Sequence, residues 1–433
     1  MAAKSAERAS TDAKGPGQVD RRDRYERKRD ALLGAATTLI NDRGAKATTL
    51  QAVSQAVQLS TTSVTYYFPR KDVLAAAVFE RAMERLRAMV DTAAQQPTPR
   101  ERVSCLLALH VRLRADVIRG RDVPIATLSE VRTLDEDIRR PLLDQYVDLF
   151  RATRALWGEF PTRDKPLMTA RAHLLQETVF WLPVWLTRFP IDEFRRVHAQ
   201  LFDLLENGLA MPGTRWSPAP LPPGSDQGEQ TDAESVPGGS GVPNFLGVAT
   251  RLINEAGYRG ASVVKIVDEL EVTKGSFYHH LDAKDDLILE CFRRSFKRIS
   301  TVQCAAQRVG ATQWEHLEAT MATLMDLQFE GEFPLTRTSA LQALPLEVRA
   351  DVVARSDRTA LRYGNTLIEG AQEGSIRLVN PLIASQTIAA MLNSAYDLRN
   401  WAAGMDRASA IRLYASCLTR GLFADPAAIL GEA

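Results

Sequence analysis

Cysteine is scarce: four in 433 residues. Cys105, Cys291, Cys304 and Cys417 form no CxxC pair or other metal-binding spacing, so neither a thiolate zinc site nor a disulfide framework organises the chain. Reduced, packed thiols are the reading this count supports, and with it a cytoplasmic, nucleoid-associated location. Histidine is scarce too, at six. His110, His173, His198 and His316 show no ligand spacing, and no nucleophile triad, phosphate-cradling glycine loop or paired-carboxylate motif accompanies them. These absences point away from an enzyme, a bound metal and a cofactor. No apolar run approaches the ~18 residues of a membrane span. Residues 1–20 are small and polar, lack the hydrophobic core of a secretory signal, and are expected to be disordered. The net charge of +1 provides no whole-protein field to attract a polyanion, so binding to nucleic acid must rest on local patches.

What the sequence does have is a repeat. At an offset of 213 residues without gaps, Asn41 lines up with Asn254, Gly44 with Gly257, Val53 with Ile266, Leu59 with Val272, Ser63 with Ser276, Lys71 with Lys284 and Phe79 with Phe292. Repetition at a long fixed period means two copies of one architecture. Between the copies, residues 211–243 contain seven prolines and six glycines. That composition predicts a flexible linker spanning roughly 30 Å, enough to join two domains side by side.

Helical periodicity dominates both copies. Leu32, Leu33, Ala36, Leu39 and Ile40 form an apolar stripe closed by Gly44. Thr48 or Thr49 caps a short helix carrying Leu50, Val53 and Val57, and Ser60 caps a third helix that Pro69 ends. A long fourth helix follows from Asp72. The short–turn–short arrangement is a helix-turn-helix, whose third helix buries apolar residues and turns small polar ones outward. In the first copy Val53, Val57, Leu59, Val64 and Phe68 face in, leaving Thr61, Thr62, Ser63, Thr65 and Tyr66 facing out. In the second, Ile266, Leu270, Val272, Phe277 and Leu281 face in, leaving Lys274, Gly275, Ser276, Tyr278 and His279 facing out. Tyr67 and His280 late on the recognition helix suit phosphate contact, as do Lys71 and Lys284 at the next helix start. Thr49 and Ser262, at the start of each second helix, complete the expected DNA-binding set.

The stretch from Val53 to Phe68 with Lys71-Asp-Val-Leu74, and the stretch from Ile266 to Leu281 with Lys284-Asp-Asp-Leu287, resemble the DNA-binding heads of tetracycline-repressor (TetR/AcrR-type) regulators. The resemblance implies an all-α chain of two tandem modules. Each is a three-helix helix-turn-helix head followed by a helical ligand-binding and dimerisation domain, whose last two helices form a four-helix interface. The expected boundaries are 21–75 and 76–210 for the first module, the linker 211–243, then 244–288 and 289–425 for the second. It further implies double-stranded operator DNA and a small-molecule effector as partners, no membrane association, and a ligand-responsive repressor. The modules are expected to pair within one chain as a pseudo-dimer, or between chains as a homodimer. Aromatic and histidine side chains in the helical regions, Trp157, His173, Phe180, Phe329, Tyr363 and Tyr396, are the candidate pocket. The alternative is a ligand-sensing or protein-interaction module whose heads no longer read sequence.

Departures separate the copies. The turn glycine expected of the family is Gln58 and Glu271 here, and a non-glycine residue in left-handed backbone costs on the order of 1 kcal/mol. Val267 replaces a small residue where two helices approach closely. From Arg21 to Arg81 there are 11 basic and 6 acidic residues, a balance of +5, whereas from Pro243 to Arg298 there are 9 and 8, a balance of +1. Arg21, Arg22, Arg24, Arg27, Lys28 and Arg29 give only the first copy a basic arm, so its head is expected to contribute more phosphate-driven affinity.

Overall fold

The computed structural model describes residues 16–222, 224–225, 245–269, 284–344 and 346–431. Among them the regular structure is helical, and the only strand-like pairing is one isolated bridge, Ala210 with Ile376. The first half runs α1 (Pro16–Arg43), α2 (Leu50–Ala56), α3 (Thr61–Tyr67), α4 (Lys71–Ala94), α5 (Pro99–Ile118), α6 (Glu136–Arg154), α7 (Lys165–Trp185) and α8 (Phe194–Asn207). The second half runs α9 (Phe245–Gly260), α10 (Val263–Glu269), α11 (Lys284–Ala306), α12 (Gln313–Glu330), α13 (Leu346–Glu373), α14 (Pro381–Ser394) and α15 (Arg407–Thr419). None of these helices is long and apolar enough to cross a membrane.

Local chemistry starts and stops these helices. Thr49 accepts from the Ala52 N–H, and Ser60 from the Ser63 N–H. Thr98 and Thr312 each form a reciprocal capping box with a glutamate three residues on, Glu101 and Glu315. The repeat therefore extends beyond the heads. Gly44 (φ +79°) and Gly257 (φ +70°) end the opening stripe of each half in left-handed backbone.

Two expectations are corrected at the segment ends. Helix α1 already begins at Pro16, inside the stretch expected to be disordered, so the basic arm lies within a helix. The linker is not slack from its start. Trp216 and Leu221 pack against the core, and the Ser217 N–H donates to the Glu318 carboxylate at 3.1 Å. A proline-rich strand can lie as a strap when one aromatic anchors it, which composition alone does not reveal.

The two halves share one hydrophobic core. Leu174, Val179 and Leu182 of α7 and Leu201 of α8 belong to the same buried cluster as Ile388 and Met391 of α14 and Tyr414 and Leu418 of α15. Polar contacts stitch the seam. His173 Nδ1 lies 2.9 Å from the Tyr414 hydroxyl, Trp157 donates to the Leu422 carbonyl at 3.0 Å, and Arg377 pairs with Asp203 at 2.8 Å. Gly208 and Gly421, again 213 apart, meet where the closing helices end. A Cβ on Gly208 would lie 2.4 Å from the Thr419 carbonyl oxygen, and one on Gly421 only 2.2 Å from that of Glu206. Both residues also hold positive φ, at +68° and +87°. Gly421→Ala is therefore expected to cost more than ~1 kcal/mol of unfolding free energy, read as a lowered urea midpoint at unchanged slope; an unaltered midpoint would contradict this close approach.

Candidate nucleic-acid interface and interior cavity

In the first head α2 and α3 meet through a turn at Gln58, whose φ of +55° is the only positive value on a described non-glycine residue. Left-handed backbone crowds a Cβ against the following carbonyl, so Gln58→Gly should stabilise the head by up to ~1 kcal/mol. A thermal melt of the full chain checks this, and a lowered first transition would refute the strain. On α3, Thr61, Thr62 and Tyr66 are exposed, Tyr66 at 74%. Ser63, Thr65 and Tyr67 are only half exposed. Ser63 Oγ sits 2.8 Å from Ser60 Oγ, and the Thr65 hydroxyl donates to the Thr62 carbonyl at 2.9 Å. The outward face thus presents Thr61, Thr62 and Tyr66 most openly. Lys71 opens α4 as expected, its ammonium donating to the Lys46 carbonyl. Thr49 is exposed at the start of α2.

Sequence reasoning missed Tyr25. It packs 4.7 Å (ring centroids) from Tyr67 and 6.2 Å from Tyr66, and Arg29 lies 5.7 Å above the Phe68 ring. These contacts fasten the basic arm to the recognition helix and carry Arg24, Arg27 and Lys28, all exposed, alongside it. Burial raises the Tyr67 phenol pKa, with Tyr25 and Tyr66 adding to the effect. The available signal was an aromatic residue amid arginines, one short run before the motif.

In the second head the Ser262 hydroxyl accepts from the Lys265 N–H at 3.2 Å, which places Ser262 as the cap of α10. Val267 is fully buried and fits its position. Lys274, Gly275, Ser276, Tyr278, His279 and His280 lie outside the described residues, as does the side chain of Lys284, whose backbone begins α11.

Beneath the heads lies a cavity of about 700 Å³ lined mostly by the first half. Of the six side chains expected in a pocket, only His173 and Phe180 line it. Tyr363 lines a second cavity of about 100 Å³, mostly in the other half and closed on one side by Trp181 and Trp185. Trp157, Phe329 and Tyr396 line neither. Trp157 is spent on the seam beside Phe423, Phe329 is packed against Trp401 and Tyr414, and Tyr396 donates to Glu255 under the guanidinium of Arg399. Helical aromatics served the core there, and the sequence could not distinguish the two uses.

The polar end of the large cavity is built by both halves. Arg337, in the segment before α13, is ion-paired with Asp397 and lies 3.9 Å from Glu177 of α7, while Arg132 lies 3.7 Å from Asp397. Burial lowers the His173 pKa to about 3, with Arg337 adding to it, so His173 is neutral. Burial likewise lowers His110 to about 4 and raises the Glu177 carboxyl. His173, Glu177 and Asp397 bring three donor atoms within 4.8 Å of one another. Arg337 already supplies positive charge at that spot, so the cluster is an ion-pair network rather than a built cation site.

A 3-10 segment, Leu128–Thr133, connects this cavity to both heads. Leu128, Ser129, Val131 and Arg132 line the cavity. Glu130 accepts the Ala45 N–H at 2.8 Å, and a Cβ on Gly44 would meet its carboxylate at 2.7 Å. Thr127 donates its N–H to Asn41 at 2.9 Å. Toward the second head, Arg132 donates to the Asn254 carbonyl at 2.7 Å, and Thr133 lies against Gly257. Arg349 of the second half returns the contact, donating to the Asp42 carbonyl at 2.8 Å.

Small helix-turn-helix heads on helical domains define a class of DNA-binding protein. Residues 32–78 and 245–291 match the family model of bacterial regulatory proteins, tetR family. The chain carries two heads of that family in tandem, which makes it a DNA-binding transcriptional regulator of the TetR type. It is 27% identical over 147 residues to the HTH-type transcriptional repressor DhaR of Mycobacterium sp. (strain GP1), covering 32% of this chain and 73% of that protein. It is 34% identical over 122 residues to the HTH-type transcriptional regulator BetI of Rhizobium meliloti (strain 1021), covering 27% of this chain and 57% of that one. Among solved structures it is similar to apo AibR at a TM-score of 0.36 and 22% identity, and to the TetR family regulator PfmR from Thermus thermophilus at 0.33 and 19%. These cover 41% of this chain and 97% and 94% of those proteins.

Proposed function

We propose that one chain is a complete, effector-responsive repressor. Its two halves act as an intramolecular pseudo-dimer, and its two heads read two different half-sites of one operator. The contacting residues would be Thr49, Thr61, Thr62, Ser63, Thr65, Tyr66, Tyr67 and Lys71 in the first head. In the second they would be Ser262, Lys274, Gly275, Ser276, Tyr278, His279, His280 and Lys284. Recognition helices set about 34–36 Å apart would enter successive major grooves on one face of the duplex. The observation that most supports this is the shared core of α7, α8, α14 and α15, which leaves both heads on one body. An effector in the large cavity would press on Leu128–Thr133 and so on both heads at once. Coupling of about 1–3 kcal/mol, or 5- to 150-fold in DNA affinity, is usual for such linkage. Footprinting on the DNA flanking its own gene tests the reading. Two unlike protected half-sites about one helical turn apart are expected, whereas protection of a single half-site would leave one head as a sensing or packing module.

A further inference from the structure

We infer that the chain binds one effector rather than two, in a site centred on the first half that takes a large apolar molecule with a neutral head that both donates and accepts hydrogen bonds, such as a hydroxyl or amide. This rests on the effector-responsive reading above and specifies its stoichiometry and ligand chemistry.

The halves are duplicates, so two equivalent pockets would be the default, yet their volumes are about 700 and about 100 Å³. The repeat register explains the difference. Segments Leu128–Thr133 and Thr338–Ala343, and helix starts Glu136 and Leu346, are each 210 apart. Thr153, lining the large cavity, therefore corresponds to Tyr363, lining the small one. Met83 corresponds, at 213, to Phe296. Two bulkier rings occupy space that the first half leaves open. The polar groups change in parallel. His173 and Glu177 correspond to Gln386 and Ala390, while His110 and Arg114, aligned through the capping boxes at Thr98 and Thr312, correspond to Leu324 and Gln328. Gln328 is already satisfied by the Leu392 and Asn393 carbonyls and the Leu335 N–H at 2.9–3.1 Å. The second half has thus lost both the volume and the polar groups of a ligand site.

The cavity of the first half keeps buried polar groups without a hydrogen-bond partner. His173 Nδ1 and the Tyr414 hydroxyl share a hydrogen bond at 2.9 Å, and Nε2 is a donor or an acceptor according to which of the two supplies the proton. His173 Nε2 and Glu177 Oε2 are buried without a hydrogen-bond partner, and both residues are more than nine-tenths buried. Arg114 Nε, Arg337 Nε and Ser129 Oγ, on residues that line the same cavity, are also buried without a partner, so the site calls for a head that both donates and accepts. At this end of the cavity the charges of Arg132 and Arg337 balance those of Glu177 and Asp397, which suits a neutral head there, while Arg114 and Arg349 line the cavity elsewhere.

The test uses the full chain and the amphipathic dye 8-anilinonaphthalene-1-sulfonate, counted by fluorescence titration. One dye per chain is expected. M83F/T153Y, which imports the second half's residues, should abolish binding, and F296M/Y363T should add a second site. Decan-1-ol should displace the dye, and H173Q/E177A should weaken that displacement at least tenfold. Two equal sites in the wild type would overturn the single-site inference, and so would a dye count insensitive to both swaps. No binding at all would instead remove the effector cavity on which it rests. Undiminished displacement by decan-1-ol in H173Q/E177A would overturn the assigned head chemistry.

Discussion

Replacing Arg24, Arg27 and Lys28 together by alanine is expected to flatten the salt dependence of DNA binding more than any change elsewhere in the chain. These three cations are exposed in the first half of α1 beside the recognition helix. Each phosphate contact contributes about 0.9 to the slope of log affinity against log salt, so three contacts account for up to about 2.7. Between 50 and 200 mM salt the wild type should then lose up to roughly 40-fold more affinity than the variant, by the same relation. The second head follows an acidic linker, with Arg215 against Asp226, Glu229, Asp232 and Glu234, and has a local balance of only +1, so substituting Lys265 and Lys297 should change the slope far less. Equal slopes for wild type and arm variant would place the binding energy elsewhere. Tyr25→Ala provides a finer comparison. It keeps every charge but removes the rings holding the arm against Tyr66 and Tyr67, so it should weaken binding with the slope largely retained.

The second large effect concerns Arg337. Its side chain is 5% exposed, and it holds Glu177 and Asp397 at the seam of the two halves. Removing one partner of a buried charge pair leaves an uncompensated charge and costs about 3–5 kcal/mol. Arg337→Ala should show such a loss at pH 7.5. The pH dependence has a definite sign. Burial already raises the Glu177 carboxyl above its ordinary value. A carboxyl raised in the folded state costs nothing below its unfolded pKa and destabilises as pH rises through its folded pKa. Without Arg337 that folded value rises further, so the deficit should shrink as pH falls from 7.5 to about 4.3, the ordinary glutamate value, where folded and unfolded chains both carry the proton. Urea midpoints at the two pH values check this. A deficit that is the same at both would mean the arginine acts through packing. The double variant E177Q/R337M, which removes the charge with its partner, should recover most of the loss at pH 7.5.

Much of the architecture was readable because its determinants are local. Ser60 and Thr49 cap the short helices, Gly44 and Gly257 close the opening stripes, and the left-handed turn at Gln58 falls where the family pattern places glycine. Each depends on a few consecutive residues. The cavity was not readable in this way. Its volume depends on whether Thr153 or Tyr363 stands at one position, and a three-residue shift of register between the copies hides that correspondence from an ungapped comparison. Its polar end joins Glu177 to Arg337, 160 residues away, so no window of sequence contains it. Trp157, Phe329 and Tyr396 misled for a related reason: helical spacing specifies a buried face but not whether a core or a hollow lies beneath it.

The central claim is that one chain is a whole DNA reader. Light scattering on the chain bound to a duplex from its own gene's flanking DNA tests it most directly. One 47.9 kDa chain per duplex, with both half-sites protected, is the predicted result. Two chains per duplex, or a stable dimer of twice that mass in the absence of DNA, would contradict it.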